Sequence, residues 1–198
     1  MRNPKPWAAL AVLACACSPA QAPETPLPGF VAVEFRGALI APTKVNGAPW
    51  DGPGPLNASA TTLVANAIAD ADPYHALLSV FANPAIAALD KPEPFGDARV
   101  MGAGVALLDV PLQTSERDTL TPIWTSATAP RVPLTPSTRI EVTLLDKDLQ
   151  FDDAMGTATV TEGDLVAALR SGRVYHVPLA EQTHNQVLFL DLSVFAVR

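Results

Sequence analysis

The stretch Gln186 to Val197 alternates along almost its whole length, and a chain carrying such a run must build a sheet around it. Leu188, Leu190, Leu192 and Val194 fall on one side of an extended strand, while Val187, Phe189, Asp191, Ser193 and Phe195 fall on the other. Successive side chains of a strand point to opposite faces, so the uniformly apolar set is expected to face the core. Arg139-Ile140-Glu141-Val142-Thr143-Leu144-Leu145 repeats the pattern, as a half-buried antiparallel strand requires.

Further strands are expected at Phe30–Phe35, Tyr74–Phe81, Met101–Leu112, Met155–Thr161 and Val174–Leu179. Their separators are rich in Pro, Gly, Asp and Asn, and the chain holds 20 prolines and 11 glycines. Strand runs broken by turn residues favour an all-β, antiparallel two-sheet β-sandwich over a βαβ architecture. One to three short helices fit into its loops. Ser59 to Ala69 places Leu63, Val64, Ala67 and Ile68 at helical spacing, with Asn57 or Ser59 as its cap. Glu162 to Leu169 starts after Thr161 and stops near Gly172, and Pro84 to Leu89 is the shortest.

The 198 residues, 48% of them hydrophobic, suffice for one core with short flanking segments. Arg2 and Lys5 precede a short apolar stretch from Trp7 to Ala16, a pattern expected of an export signal over residues 1–16. A Pro-rich linker over 17–28 and a β-sandwich domain over 29–198 complete the expected organisation. Val12-Leu13-Ala14-Cys15 resembles the lipobox of bacterial lipoproteins, with Ala14-Cys15-Ala16-Cys17 as a looser second choice. That resemblance implies lipidation of Cys15 or Cys17 and an exported, cell-envelope location, lipid-anchored or secreted. The domain itself then has no cysteine, which excludes a disulfide, a thiolate nucleophile or a cysteine metal site.

The net charge of −7 becomes −9 once Arg2 and Lys5 are removed, so a nucleic-acid partner is not expected. The acids concentrate in Asp146-Lys147-Asp148-Leu149-Gln150-Phe151-Asp152-Asp153, directly after an expected strand. Carboxylates so close repel unless water or a cation neutralises them, and calcium accepts several oxygens at variable geometry. The loop is not an EF-hand, since it lacks glycine at the sixth position and glutamate at the twelfth. His75, His176 and His184 are scattered, and no nucleophile elbow, P-loop or Rossmann glycine pattern occurs. A noncatalytic protein is therefore expected, with Trp124 in the core.

Leu144-Leu145-Asp146-Lys147-Asp148 followed by Asp153-Ala154-Met155-Gly156 resembles the third calcium loop of the C2 domain, a calcium-dependent lipid-binding β-sandwich. Asp72-Pro73-Tyr74, the run Thr119-Leu120-Thr121-Pro122-Ile123-Trp124, and Trp50-Asp51-Gly52 resemble other elements of that family. The resemblance spans about Phe30 to Val197. It implies calcium ligands at Asp51 and Asp72 on the first loop and at Asp146, Asp148 and Asp153 on the third. Asp70 is the alternative to Asp51, because the span from Asp51 to Asp72 exceeds the family's compact first loop. Asp152 is the alternative to Asp153, because the third loop is about one residue short. Leu149 and Phe151 are the implied membrane contacts, and the implied partner is an anionic phospholipid membrane. A calcium-stabilised or calcium-independent domain binding an unidentified protein is the competing expectation.

Overall fold

The alternating run at the end of the chain becomes a long central strand in the computed structural model, which describes residues 26–51, 54–148 and 152–197. The described strands are β1 (Phe30–Ile40), β2 (Pro94–Gly102), β3 (Val105–Gln113), β4 (Thr128–Pro133), β5 (Arg139–Asp146), β6 (Asp153–Thr161), β7 (Tyr175–Pro178) and β8 (Val187–Val197). They form two four-stranded sheets, β4-β1-β8-β7 and β3-β2-β5-β6, and every pairing is antiparallel. The molecule is thus an antiparallel β-sandwich, as the alternation requires. The signal segment with Cys15 and Cys17, and the loop-tip residues Leu149 and Phe151, lie outside the described residues.

Side chains from both sheets fill the space between them. Val33 and Phe35 of β1 and Leu190, Leu192 and Val194 of β8 meet Val100 of β2, Ile140, Val142 and Leu144 of β5, and Val160 of β6. Trp124 is buried in this core as well. The expectation for β8 needs one correction. A register shift between Leu39 and Ile40, opposite Phe189 and Val187, turns Leu188 away from the sandwich interior, and Val187 enters it instead. An extra residue on one strand reverses the faces beyond it, so the alternation is read correctly only up to the bulge.

Leu188 and Phe189 instead join a second apolar cluster beneath two helices, α1 (Ala58–Ile68) and α2 (Pro73–Phe81). Asn57 caps α1, its side chain accepting from the Ala60 N–H at 3.0 Å. A short α3 (Pro84–Ala87) follows, and α4 (Glu162–Ser171) carries a capping box between Thr161 and Asp164 and ends at Gly172 in the left-handed conformation.

Tyr74–Phe81 is α2, not a strand. Asp72 accepts from the His75 N–H as its N-cap, Pro73 takes the first turn where no N–H is needed, and Leu77 is buried against α1 and the sheet. Apolar residues at Tyr74, Leu77 and Val80 match helical spacing, and that period prevails over the β-favouring aromatics at the ends. Met101–Leu112 is likewise a hairpin rather than one strand. Ala103 and Gly104, both at positive φ, turn the chain between β2 and β3.

Candidate metal centre

Three antiparallel strands place the acids at one end of the sandwich. Pro94 at the start of β2 pairs with Asp146 at the end of β5, which pairs with Asp153 at the start of β6. Asp146 is fully buried, and its Oδ1 accepts a 2.7 Å hydrogen bond from the Glu93 backbone N–H. Its Oδ2 has no partner among the described residues. A buried carboxylate oxygen left bare is costly, and this is the one buried side-chain acceptor among the described residues that lacks a donor.

The second segment arrives from the loop after β1. Lys44 N–H donates to Ala48 O and Gly47 N–H to Lys44 O, closing a turn in which Gly47 takes a φ of 80°. Trp50 is then buried, with its indole N–H donating to Ala41 O at 2.8 Å. This anchor sets Asp51 against the end of β5. One carboxylate oxygen each from Asp51, Asp146 and Asp148 lies within 4.8 Å of the others. At the effective dielectric of a protein surface, two unit charges 4 Å apart repel by about 4 kcal/mol, so three ionised carboxylates hold this arrangement only with a cation or a proton among them.

The proton affinities reflect that crowding. Burial pushes the Asp146 carboxyl up to about 6, with the charges of Asp51 and Asp148 adding to it, while the Glu93 N–H and Lys44 act in the opposite sense. Burial also raises Asp51, followed by its hydrogen bond with the Asp148 carboxyl and the negative charges of Asp148, Asp118 and Asp90. Asp90 and Asp118 are exposed residues near this end, and the sequence pattern did not single them out. They stand alone among Lys, Pro, Arg and Thr, so only the meeting of the loop before β2 with the loop after β3 reveals them. The backbone joins those loops where Thr119 N–H donates to Pro92 O at 2.9 Å.

The five aspartates of the sequence reading therefore divide. Asp51, Asp146 and Asp148 come together. Asp72 does not: it is exposed, caps α2, and bonds His75 Nδ1 at 2.9 Å, which holds its carboxyl below the ordinary value. Its carboxylate is committed to the cap of α2 and is not among the acids that come together. Asp153 lies at the right end but is ion-paired with Lys44 Nζ. Asp70 accepts from the Asp72 N–H, and Asp152 accepts from the Asp148 N–H at 3.2 Å, so each organises its own turn.

Another polar group lies on the outer face of the β8 sheet. Tyr74 Oη donates to Asp191 Oδ2 at 3.0 Å, His176 Nδ1 lies 2.7 Å from Asp191 Oδ1, and the Tyr74 and His176 rings stack at 3.5 Å. Tyr74 and the strand residues His176 and Asp191 thus fasten α2 to the sheet, while His75 stands edge-on to Tyr74 on α2 itself.

No protein-family model and no curated protein matches this chain. Similar solved structures include the calcium-bound tandem C2 domains of Extended-Synaptotagmin 2, at 17% identity over 86% of this chain and 47% of that one, with a TM-score of 0.41. A single C2 domain of plant Extended Synaptotagmin 1 matches at 11% identity over 86% of this chain and 95% of that one, with a TM-score of 0.44. Human GIVD cytosolic phospholipase A2 matches at 12% identity, over 85% of this chain and 16% of that one, with a TM-score of 0.42. The chain spans about half the length of the Extended-Synaptotagmin 2 structures. With each of these TM-scores below 0.5, the chemistry at this end of the molecule stands on its own geometry.

Proposed function

We propose that this domain is a noncatalytic calcium-binding module whose ion is held by Asp51, Asp146 and Asp148. The observation that carries this reading is the buried Asp146 carboxylate, whose Oδ2 has no donor among the described residues and which lies together with the carboxylates of Asp51 and Asp148. An all-oxygen, carboxylate-rich donor set suits a hard cation. Calcium accepts carboxylate oxygens at variable geometry, whereas magnesium demands a near-ideal octahedron, so carboxylates brought together from a strand end and a loop suit calcium better.

The reading extends to an anionic phospholipid surface as partner. A bound calcium ion supplies positive charge and open coordination positions for phosphate or carboxylate oxygens. Beside the three aspartates runs a groove of about 550 Å³ whose lining includes Glu93, Thr114, Glu116, Arg117, Lys147 and Asp148. Its acids outnumber Arg117 and Lys147, so an anionic headgroup would approach through the bound ion rather than through the groove alone. If Cys15 or Cys17 carries lipid in an exported protein, calcium serves orientation or contact with a second membrane rather than recruitment.

A second reading, docking of a protein partner, is favoured by edge strand β3, where Val105, Leu107 and Leu108 are exposed. Calcium titration followed by thermal melting tests the ion, and co-sedimentation with anionic or neutral vesicles tests the surface. Calcium should raise the melting temperature and promote binding to anionic vesicles alone. No calcium response up to millimolar concentration overturns the metal centre, and a calcium response without vesicle binding moves the reading to a protein partner.

A further inference from the structure

Asp153 sits one strand away from Asp146, at the same end and in register with it, yet its carboxylate is taken by Lys44 Nζ across 109 residues of sequence. Lys44 is itself held in place. The turn from Lys44 to Ala48 fixes its backbone, and its ammonium lies 5.7 Å from the Trp50 ring centroid, over the indole anchoring the loop that ends in Asp51. Only about a quarter of its side chain is exposed. Its charge also reaches Asp146, whose proton affinity it lowers. A fixed cation thus stands beside the acidic cluster, between the three carboxylates that crowd one another and the one that would complete a wider ring.

We propose that Lys44 is a built-in counterion that withholds Asp153 from metal coordination and limits this end of the sandwich to a single divalent cation. The inference rests on the calcium reading above and adds to it a determinant of stoichiometry. Lys44 satisfies Asp153 at all calcium concentrations. Removing the ammonium leaves Asp153 as a free carboxylate beside Asp146 and also removes positive charge from the cluster, so both capacity and affinity for a hard cation rise.

The test is calcium binding by the full chain, measured by calorimetry and equilibrium dialysis, for the wild type, Lys44→Gln, Lys44→Met and the double variant Lys44→Gln/Asp153→Asn. Lys44→Met keeps the apolar stem against Trp50, which separates loss of charge from loss of packing, and thermal melting in chelator checks that each variant folds. The wild type is expected to bind one ion per chain and both single variants two, with the second ion lost again in the double variant. An unchanged stoichiometry in both folded single variants overturns the role of Lys44 while leaving the calcium centre standing. A second ion that survives Asp153→Asn overturns the assignment of Asp153, and two ions in the wild type overturn the limit itself. Absence of binding in every variant overturns the calcium reading and this inference together.

Discussion

The Glu93 backbone N–H donates to Asp146 Oδ1 at 2.7 Å, and this single bond satisfies one oxygen of a fully buried carboxylate whose other oxygen has no donor among the described residues. The fold thus fixes the orientation of Asp146 through one oxygen and holds its carboxylate beside those of Asp51 and Asp148. Positioning with one bond while leaving an acceptor open is the arrangement expected of a ligand that awaits a cation.

Asp146→Asn separates stability from binding. The amide keeps the shape and an acceptor for the Glu93 N–H, removes a buried charge, and offers donors to Asp51 and Asp148. Melting in chelator is expected to rise for the variant, while the calcium-induced increment seen in the wild type disappears. Calorimetric scans with and without calcium check both parts, and a variant that keeps the increment removes Asp146 from the ligand set.

The pH dependence has a defined sign. Burial, reinforced by Asp51 and Asp148, pushes Asp146 up to about 6 from its ordinary 3.8. A carboxyl with a raised folded-state value holds its proton more tightly when folded. Its contribution to stability is therefore complete below about 3.8 and is lost as pH rises through about 6. For this group, the chelated protein gains stability when acidified from neutrality, and calcium must displace the proton over the same range. The calcium-induced rise in melting temperature should shrink as pH falls through about 6. An increment independent of pH across that window contradicts the site.

Asp72→Asn and Asp148→Asn should behave oppositely. Asp72 caps α2 and bonds His75, away from the cluster, so its substitution leaves calcium affinity unchanged, and asparagine still caps the helix. Asp148→Asn removes a carboxylate that shares a hydrogen bond with Asp51, and weakens calcium binding by roughly tenfold or more. Parallel titrations of the two variants decide between the sequence-derived ligand set and the one assembled in the fold.

Tyr74→Phe tests the fastening of the helical insertion. Loss of the 3.0 Å bond to Asp191 costs about 1 kcal/mol, which in a domain of this size lowers the melting temperature by roughly 2–4 °C. The ring remains able to stack on His176 and to meet Phe189 edge-on, so the calcium response should not change. A lost calcium response would show that the insertion and the acidic end are coupled.

The sequence by itself determined strands β1, β5, β6, β7 and β8 and the place of the acids at the end of β5. Alternation from Arg139 to Leu145 and from Gln186 to Val197 is a local, period-two signal, and so are the caps at Asn57 and Thr161, because strand pleat and helix end depend on neighbours in the chain. Asp146 and Asp148 were legible for the same reason, at the end of one such strand. Asp72-Pro73-Tyr74 was ambiguous locally, since Asp-Pro opens a helix as readily as it precedes a strand, and burial of Leu77 against α1 decided for the helix. Only the tertiary structure could tell Asp153 from Asp51. The first meets Lys44 across 109 residues, while the second is delivered to Asp146 by the buried Trp50. Which carboxylate is neutralised and which is left facing its fellows depends on loops that touch only once the sandwich closes, and no local period encodes that distance.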